Sequence, residues 1–511
     1  MTGGLIQLAA YGAQDIYLTG NPQITFFQMV YRRHTNFSIE AIEQTFIGTP
    51  DYGKRLDVQL TRNGDLLHRM YIEHSATIER TDSNPNKNIG IVEHYGHSLI
   101  REYEILIGGQ RIDRHSSLWQ RIRADLNEEN PDGYMDRVSM FSDKGEHNGT
   151  QYQYMTGNSI AANTDTYNET DNLLATTGGS SFNGFTYTKG TESVKAKISI
   201  NKIFIPLQFW FCRHHGLALP LVALQYHNVE LIFRIEELGN LFRTSDTASF
   251  GYSDANIVKA SSENVKALSN FRLWCDYIYL DTEERRRFAE EDHEYLIEQI
   301  QKAEYNVNFP NNDFDLKFSH PTKELIWVIQ NNTVNSDTSG GDDVYGGRNQ
   351  GLDSSKGDWT ASPVSVDDFK GKWLLKFNNH ERFKERDTEY FTRVQVYEHH
   401  TGYGSVSTYI AKKSNLKSGE FRPSDNNSIS VYSFALKPED HQPSGVCNLS
   451  RMDSIVLESI DLKVWAIGGG SGGNYITVGE TGSTNLKLTI FAVNYNILRV
   501  MSGMGGLAYS N

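Results

Sequence analysis

Cysteine is scarce in this chain, and long apolar runs and an excess of basic residues are missing. The 511 residues include three cysteines, Cys212, Cys275 and Cys447, which are too few for a disulfide framework and indicate reduced, packed thiols. Nowhere do about eighteen apolar residues follow one another, so no membrane-spanning helix is predicted. The formal net charge of -14 argues against a general nucleic-acid binder, which needs a basic face to neutralise phosphates.

Motifs that carry catalysis or bind metals are also rare. The glycine-rich segments 468–474 and 479–484 lack the lysine of a phosphate-binding loop and predict loop tips. Cys212 and His214 would share one face of a strand, as two metal ligands do, but no second ligand pair follows, which favours packed side chains. The 63 acidic residues offer many chance pairs and select none for a glycosidase. We therefore expect no catalytic residue, no cofactor and no metal ligand.

The residues that are present favour β-structure. Aromatic residues make up 12% of the chain and there are 43 glycines, a balance typical of β-sandwiches with long loops. Asn63-Gly64 and Gly108-Gly109 each separate two alternating apolar and polar runs, which predicts two β-hairpins. Asn378-Asn379 predicts a similar turn, because asparagine tolerates positive φ.

Few segments predict helices. The two longest are 117–128 and 282–303, and Thr282 is a suitable N-cap for the second. Three consecutive arginines, 285–287, lie in that second segment. Between Asp281 and Glu294 they are outnumbered by seven acids, which predicts a salt-bridged helix face rather than a nucleic-acid site.

Long polar tracts separate the predicted strands. Such tracts inside a domain are usually functional or disordered loops, and strands joined by occasional very long loops favour a jelly roll over a tight meander. The tracts are 142–192, 331–367, 401–428 and 468–483.

The second half of the chain repeats the pattern of the first in the same order. Each matched pair shares an alternating strand with a turn or a central tyrosine at the same place, although identity is low. The pairs are 55–72 with 313–330, 105–112 with 375–383, and 273–280 with 491–498. This repetition predicts two copies of one sandwich, each a little over 200 residues long.

These observations predict an all-β fold of two tandem eight-stranded jelly rolls with long surface loops and a few short helices. The predicted boundaries are an N-terminal tail at 1–23, a first roll at 24–282 and a second roll at 283–511.

Two features predict contact surfaces. Phe204 and the aromatic run 209–211 lie on both faces of a predicted strand, so part of this surface is expected to meet a neighbouring sandwich. Arg32 and Arg33 end a predicted opening strand, and a surface pair without a role and an interface contact are equally good interpretations.

Candidate glycan acceptors lie in the polar tracts. They are Asn148, Asn168, Asn331 and Asn426, each in an N-x-[ST] sequon. The reduced cysteines argue against ordinary secretory glycosylation, so these remain weak candidates.

Six sequence blocks spread over nearly the whole chain form a specific pattern. They are GGLIQLAAYGAQDIYLTGNPQITFFQMVYRRHTNF at the start, FIPLQFWFCRHHGLALPLVALQYHNVEL (204–231), DYIYLDTEERRRFA (276–289), HPTKELIWV (320–328), YSFALKPEDHQPSGVCNLSRMDS (432–454) and NYNILRVMSGMGGLAYSN (494–511). In these blocks the chain closely resembles the major capsid proteins of the nucleocytoplasmic large DNA viruses.

The resemblance implies a double jelly roll with no enzymatic activity. It implies a homotrimeric capsomer of pseudo-hexagonal outline that tiles the icosahedral shell of a large double-stranded DNA virus. The implied partners are neighbouring capsomers and minor capsid, cement and penton proteins, with an inner viral membrane nearby and no direct contact with nucleic acid. Assembly is expected in the host cytoplasm, and the product is the virion capsid.

The N-terminal stretch of this family lies at the capsomer base, against neighbouring subunits or minor proteins. The resemblance therefore makes this region a candidate for inter-subunit contacts, at Leu5, Ile6, Leu8, Tyr11, Arg32 and Arg33. Two alternatives stay open. One is a minor capsid paralogue of the same fold. The other is a carbohydrate-binding or glycan-cleaving β-sandwich, because jelly rolls occur in such proteins as well as in capsids.

Overall fold

The structure is a computed structural model of the chain. It describes residues 3–10, 12–83, 88–92, 94–127, 151–157, 180–182, 185–188, 192–245, 258–331, 369–402, 404, 428–467, 473–479 and 486–509. The four polar tracts fall largely outside these residues.

The first half contributes fourteen strands to the described part of the chain. They are β1 (Phe37–Gln44), β2 (Arg55–Gln59), β3 (Leu66–Arg80), β4 (Asn88–Ile91), β5 (Ile100–Ile107), β6 (Gln110–Ser116), β7 (Ser180–Phe182), β8 (Phe185–Thr188), β9 (Lys197–Pro206), β10 (Leu219–Pro220), β11 (Val229–Ile235), β12 (Phe242–Ser245), β13 (Val258–Lys259) and β14 (Val265–Leu280). The helices are α1 (Gly3–Ala9), α2 (Asp15–Thr19), α3 (Tyr95–Leu99), α4 (Ser117–Leu126), α5 (Gln151–Thr156), α6 (Trp210–Arg213) and α7 (Leu238–Leu241).

The second half begins with helix α8 (Thr282–Glu290) and is otherwise mostly strand. The strands are β15 (His293–Val307), β16 (Asn312–Asp315), β17 (Pro321–Asn331), β18 (Phe369–Phe377), β19 (His380–Asp387), β20 (Ser430–Ser433), β21 (Cys447–Asn448), β22 (Ile455–Ile467), β23 (Gly473–Thr477), β24 (Leu486–Met501) and β25 (Met504–Leu507). A π-helical turn (Tyr390–Val394) leads into helix α9 (Gln395–His399), and short 3-10 turns lie at His215–Leu217 and Leu449–Arg451.

Both halves have the same strand order. In the first half the two main sheets run β1-β14-β3-β9 and β2-β11-β5-β6, and in the second they run β15-β24-β17-β20 and β16-β22-β18-β19. If the eight strands of each half are numbered in chain order, both halves read first-eighth-third-sixth and second-seventh-fourth-fifth. All these pairings are antiparallel, and the order is that of a jelly roll. The predicted double jelly roll is confirmed.

Each pair of sheets encloses a core of alternating side chains. On β11, Leu231 and Phe233 point inward and are fully buried, whereas the residues between them are not. The second core is built around Trp327, whose ring packs against those of Trp373 and Phe391. Fully burying one apolar side chain such as Leu231 or Phe233 stabilises the fold by roughly 1.5–3 kcal/mol.

Two of the three predicted turns are confirmed. Gly108 and Gly109 have φ of 57° and 80° between β5 and β6, and Asn378 and Asn379 have φ of 49° and 64° between β18 and β19. The hairpin predicted at Asn63-Gly64 is wrong, because β2 and β3 lie in different sheets. Glycine is needed there for space, since a Cβ at Gly64 would lie 2.8 Å from Cβ of Tyr277.

The predicted helix at 282–303 is correct only in its first part. Helix α8 ends at Glu290, and its N-cap is Asp281 rather than Thr282. The remainder forms β15, which pairs with β24 along its whole length. Because all fifteen residues of β15 pair with β24, pairing between the strands outweighs the local preference of this segment for a helix. The shorter helix predicted at 117–128 is confirmed as α4.

Two strand predictions near aromatic residues are also wrong. No strand forms before β1 in the described residues, so Arg32 and Arg33 lie in an irregular segment after α1 and α2. The strand expected to run through the aromatic cluster ends at Pro206, and Trp210 begins α6. Phe209 and Trp210 turn into the first core, which they help to fill.

Candidate assembly surfaces and the junction between the rolls

The two rolls share an apolar junction built on helix α4. Leu118, Trp119 and Ile122 project from this helix of the first roll onto the outer face of the second roll's β17-β24 sheet. The Trp119 and Phe491 ring centroids are 5.3 Å apart, and both side chains are almost completely buried. The first core also includes Ile297 and two β24 residues of the second roll. The rolls therefore pack as one body at this junction.

A buried carboxylate lies beside the apolar contact. Glu298 on β15 lies 2.7 Å from Arg213 of the first roll and 2.6 Å from Lys323 on β17. Burial raises the pKa of the Glu298 carboxyl, but the two cations outweigh burial and lower this pKa to about 2. The ammonium of Lys323 also donates to the carbonyl of Pro438. Glu298 thus remains ionised and ties the first roll to the second.

A second charged group surrounds His400, just after α9. Its Nε2 lies 3.2 Å from Glu324, its Nδ1 lies 3.2 Å from Glu439, and the Asn127 side chain lies 2.7 Å from Nδ1. Burial lowers the pKa of His400, but the two carboxylates raise it to about 9. The imidazolium in turn holds the pKa values of Glu324 and Glu439 below their usual range, against the effect of burial. His400 is therefore a structural cation at neutral pH.

The charges around Glu298 and those around His400 together form one balanced set. Three cations, Arg213, Lys323 and His400, face three carboxylates, and Lys323 and Glu324 are neighbours on β17. Removing one partner of a buried pair leaves an unpaired charge, which costs about 3–5 kcal/mol. Of these charges only Arg213 belongs to the first roll, so its pair with Glu298, together with the contact of Asn127 with His400, depends on the orientation of the two rolls.

The histidines near Cys212 pack rather than form a recognisable metal centre. His214 accepts a hydrogen bond from the Gly216 backbone at 3.0 Å, and its ring lies 5.6 Å from that of His441. Burial raises the pKa of the Cys212 thiol to about 12, so it remains protonated. Within the described residues, no group of three or more histidine, cysteine or acidic side chains is arranged to hold a metal.

The candidate contact residues of the N-terminal region lie at the surface. Leu5 and Ile6 are 55% exposed and Leu8 is 81% exposed on α1, and Arg32 and Arg33 are exposed as well. Tyr11 lies outside the described residues. The sequence analysis did not name other apolar side chains of the same region that are strongly exposed, although these apolar residues follow one another closely in the sequence. They are Ile16, Tyr17, Leu18, Ile24, Phe26, Phe27, Met29, Val30 and Tyr31.

The candidate glycan acceptors are only partly placed. Asn148, Asn168 and Asn426 lie outside the described residues. Asn331 ends β17, where its backbone pairs with Leu486. The structure therefore leaves the glycosylation prediction untested.

Sequence profiles of two protein families match consecutive parts of the chain. The family described as major capsid protein N-terminus matches residues 25–281, and the family described as large eukaryotic DNA virus major capsid protein matches residues 284–506. The chain belongs to the major capsid proteins of large eukaryotic DNA viruses. Its role is structural, in the virion capsid.

Individual members of this capsid family match from end to end. The chain is 40% identical over 515 residues to the major capsid protein of Pyramimonas orientalis virus, and 35% identical over 546 residues to that of Paramecium bursaria Chlorella virus 1. Both matches cover 100% of each chain.

Solved capsid structures have the same fold. A quasi-atomic model of the PBCV-1 virus capsid matches with a TM-score of 0.65 and 29% identity, over 95% of this chain and 100% of that one. The Faustovirus major capsid protein, only 11% identical, matches with a TM-score of 0.59 over 97% of this chain and 96% of its own, and supports the fold alone. Among the described helices, none is long and apolar enough to cross a membrane.

Proposed function

We propose that three copies of this major capsid protein form a homotrimeric capsomer of pseudo-hexagonal outline, which tiles an icosahedral shell. The observation that carries the proposal is the repeated strand order, because three chains with two similar rolls each supply six similar wedges. A closed ring of cyclic symmetry leaves no open head-to-tail surface within it. Three chains of 57.9 kDa have a mass of about 174 kDa.

Native mass spectrometry tests the trimer. We expect the mass of three chains, with little monomer at micromolar concentration. A folded monomer that does not associate as its concentration rises would contradict the proposal.

The proposed organisation is a tail at 1–23, a first roll at 24–282 and a second roll at 283–511. The matched family ranges and the change of sheet near α8 support these boundaries. The tail, with Leu5, Ile6, Leu8, Tyr11 and then Arg32 and Arg33 beyond it, is proposed to contact neighbouring subunits or minor proteins. Apolar side chains that are exposed in one chain are removed from water when assembly covers them.

Deleting residues 1–23 tests the role of the tail. No side chain of this segment is buried in the described residues, so we expect unchanged unfolding and impaired shell assembly. Hydrogen exchange in the tail should be fast in free capsomers and slow in assembled shells. Assembly at the wild-type yield without the tail would contradict this role.

The further partners are proposed to be minor capsid, cement and penton proteins, with an inner membrane nearby and no direct contact with nucleic acid. The net charge of -14 supports the last point. Assembly is proposed to take place in the host cytoplasm. Immunogold labelling of infected cells and cross-linking of purified virions would test these proposals.

A role as a minor capsid paralogue of the same fold is the alternative, because the relatives of this chain include a capsid protein that is not named as a major one. The chain is also 29% identical to a protein named probable capsid protein 4 of Acanthamoeba polyphaga mimivirus, over 100% of both chains. Counting copies in virions by quantitative mass spectrometry separates the two roles. A major subunit should be the most abundant protein of the shell.

The absence of an enzymatic site is likewise proposed, and family membership disfavours the carbohydrate-active alternative. Glycoside, ester and phosphate substrates should show no turnover. Turnover abolished by substitution of one acidic residue would contradict this proposal.

A further inference from the structure

The outer face of the sheet that contains the last strand is covered to different extents in the two rolls. In the second roll, α4 covers this face at Phe491 and Ile326, which are paired across β24 and β17. In the first roll, the corresponding strands β14 and β3 pair Trp274 with Tyr71 on the outer face. Both of these aromatic side chains are partly exposed. No described element of the same chain covers them as α4 covers the second roll.

The open face of the first roll carries a cluster of three aromatic side chains, beside the paired charges of Glu73 and Lys202. The rings of Tyr71 and Phe204 pack edge to face at 5.9 Å, and the Trp274 indole donates to Glu73 at 3.0 Å. Ile39 on the edge strand β1 is 48% exposed. Aromatic side chains fixed by hydrogen bonds or packing are enriched at the energetic centres of protein interfaces. Phe204 is one of the four aromatic residues, with those at 209–211, for which the sequence predicts that part of the surface meets a neighbouring sandwich.

The second roll carries a helix at the same place in its strand order as α4. Helix α4 follows β6, the fifth strand of the first roll, and the π-helical turn and α9 follow β19, the fifth strand of the second. One side of this second helix is packed against its own roll through Phe391 and Val396. The other side exposes Val394 at 41% and Tyr397 at 88%. It therefore has an apolar face without a cover.

We propose that Val394 and Tyr397 of a second copy of this chain pack on the Tyr71, Phe204 and Trp274 face of the first roll, as α4 packs on the second roll within one chain. This inference rests on the proposed homotrimer. The repeated strand order makes the two contacts equivalent, and three such head-to-tail contacts close a ring. Ile39 lies at the margin of the contact.

A photo-crosslinking amino acid at position 397 tests the contact in the full-length protein. We expect crosslinks between two copies that map to peptides containing residues 66–80, 197–206 or 265–280. The matched control is the same group at Phe309, which is 65% exposed on a loop of the second roll and should not give these products. Crosslinks from 397 that map elsewhere would overturn the inference.

Substitution gives an independent test. Tyr397→Asp should raise the trimer dissociation constant at least about 30-fold, as loss of an interface hot spot does, whereas Phe309→Asp should leave it unchanged. Wild-type trimers together with unaffected Tyr397→Asp trimers would overturn this inference and leave the homotrimer standing. A wild-type chain that stays monomeric would overturn the homotrimer itself, and this inference with it.

Discussion

Replacing His400 by glutamine should make the chain less stable at neutral pH and remove part of its sensitivity to alkali. The substitution removes an imidazolium whose side chain has no exposed surface and leaves Glu324 and Glu439 without their cation. Glutamine keeps hydrogen-bonding capacity, so the variant isolates the loss of charge. The nearby His399→Gln is a suitable control, because His399 contacts the Leu436 carbonyl at 3.2 Å rather than a carboxylate.

The magnitude follows from the shift in the His400 pKa. The pKa rises from an ordinary value of 6.5 in the unfolded chain to about 9 in the fold. A raised pKa stabilises the fold fully below pH 6.5, and this contribution is lost as the pH rises through 9. At about 1.4 kcal/mol per pH unit, the wild type loses about 3 kcal/mol of unfolding free energy across this interval.

Urea unfolding at a series of pH values, followed by tryptophan fluorescence, measures this loss. The wild type and His399→Gln should both become less stable between pH 6.5 and 9, and His400→Gln should be about 3 kcal/mol less stable near pH 6 with a much flatter profile. After division by the base-catalysed intrinsic rate, the protection of amides at 395–402 from hydrogen exchange should fall with rising pH only where His400 is present. Parallel pH profiles for the wild type and His400→Gln would refute the reasoning.

Four further substitutions test the junction and a turn. Glu298→Gln should cost about 3–5 kcal/mol at neutral pH, because Arg213 and Lys323 lose their counter-charge. Since the Glu298 pKa is lowered to about 2, its contribution is present above pH 4.5 and should fade in acid urea titrations as the pH falls towards 2. Trp119→Ala should cost about 3–5 kcal/mol in urea unfolding and make the junction accessible to proteases. Gly108→Ala should lower the melting temperature more than Gly109→Ala, because a Cβ at 108 would lie 2.4 Å from the His227 ring whereas 109 faces open space. Equal melting temperatures for the two alanine variants would contradict that steric account.

The sequence predicted the double jelly roll because its signals are local and repeated. Alternating strands, positive-φ turns at Gly108 and Asn378, and the echo between the halves all concern neighbouring residues. The errors share one physical cause. Asn63-Gly64 and residues 293–303 have local preferences for a hairpin and a helix, but ladders with distant strands stabilise other structures. The residues next to these segments in the sequence do not indicate which distant strands they pair with.

The junction could not be predicted from the sequence. His400 joins residues 127, 324 and 439, and Glu298 joins residues 213 and 323. These positions are separated by tens to hundreds of residues, and each looks like one of many surface charges. The N-terminal contact region, in contrast, is predicted in part, because the resemblance to the capsid family places this stretch at the capsomer base.

In the exposed N-terminal region, selection for contact with partners can be distinguished from selection for folding. Side chains such as Leu8 and Phe27, 81% and 99% exposed, add almost nothing to the stability of the isolated chain. Mutational tolerance at these positions is therefore set by the partners they meet and not by folding. A deep mutational scan of residues 5–31, compared with one of the buried strands, would read out the chemistry of the covering surfaces directly from the substitutions that survive.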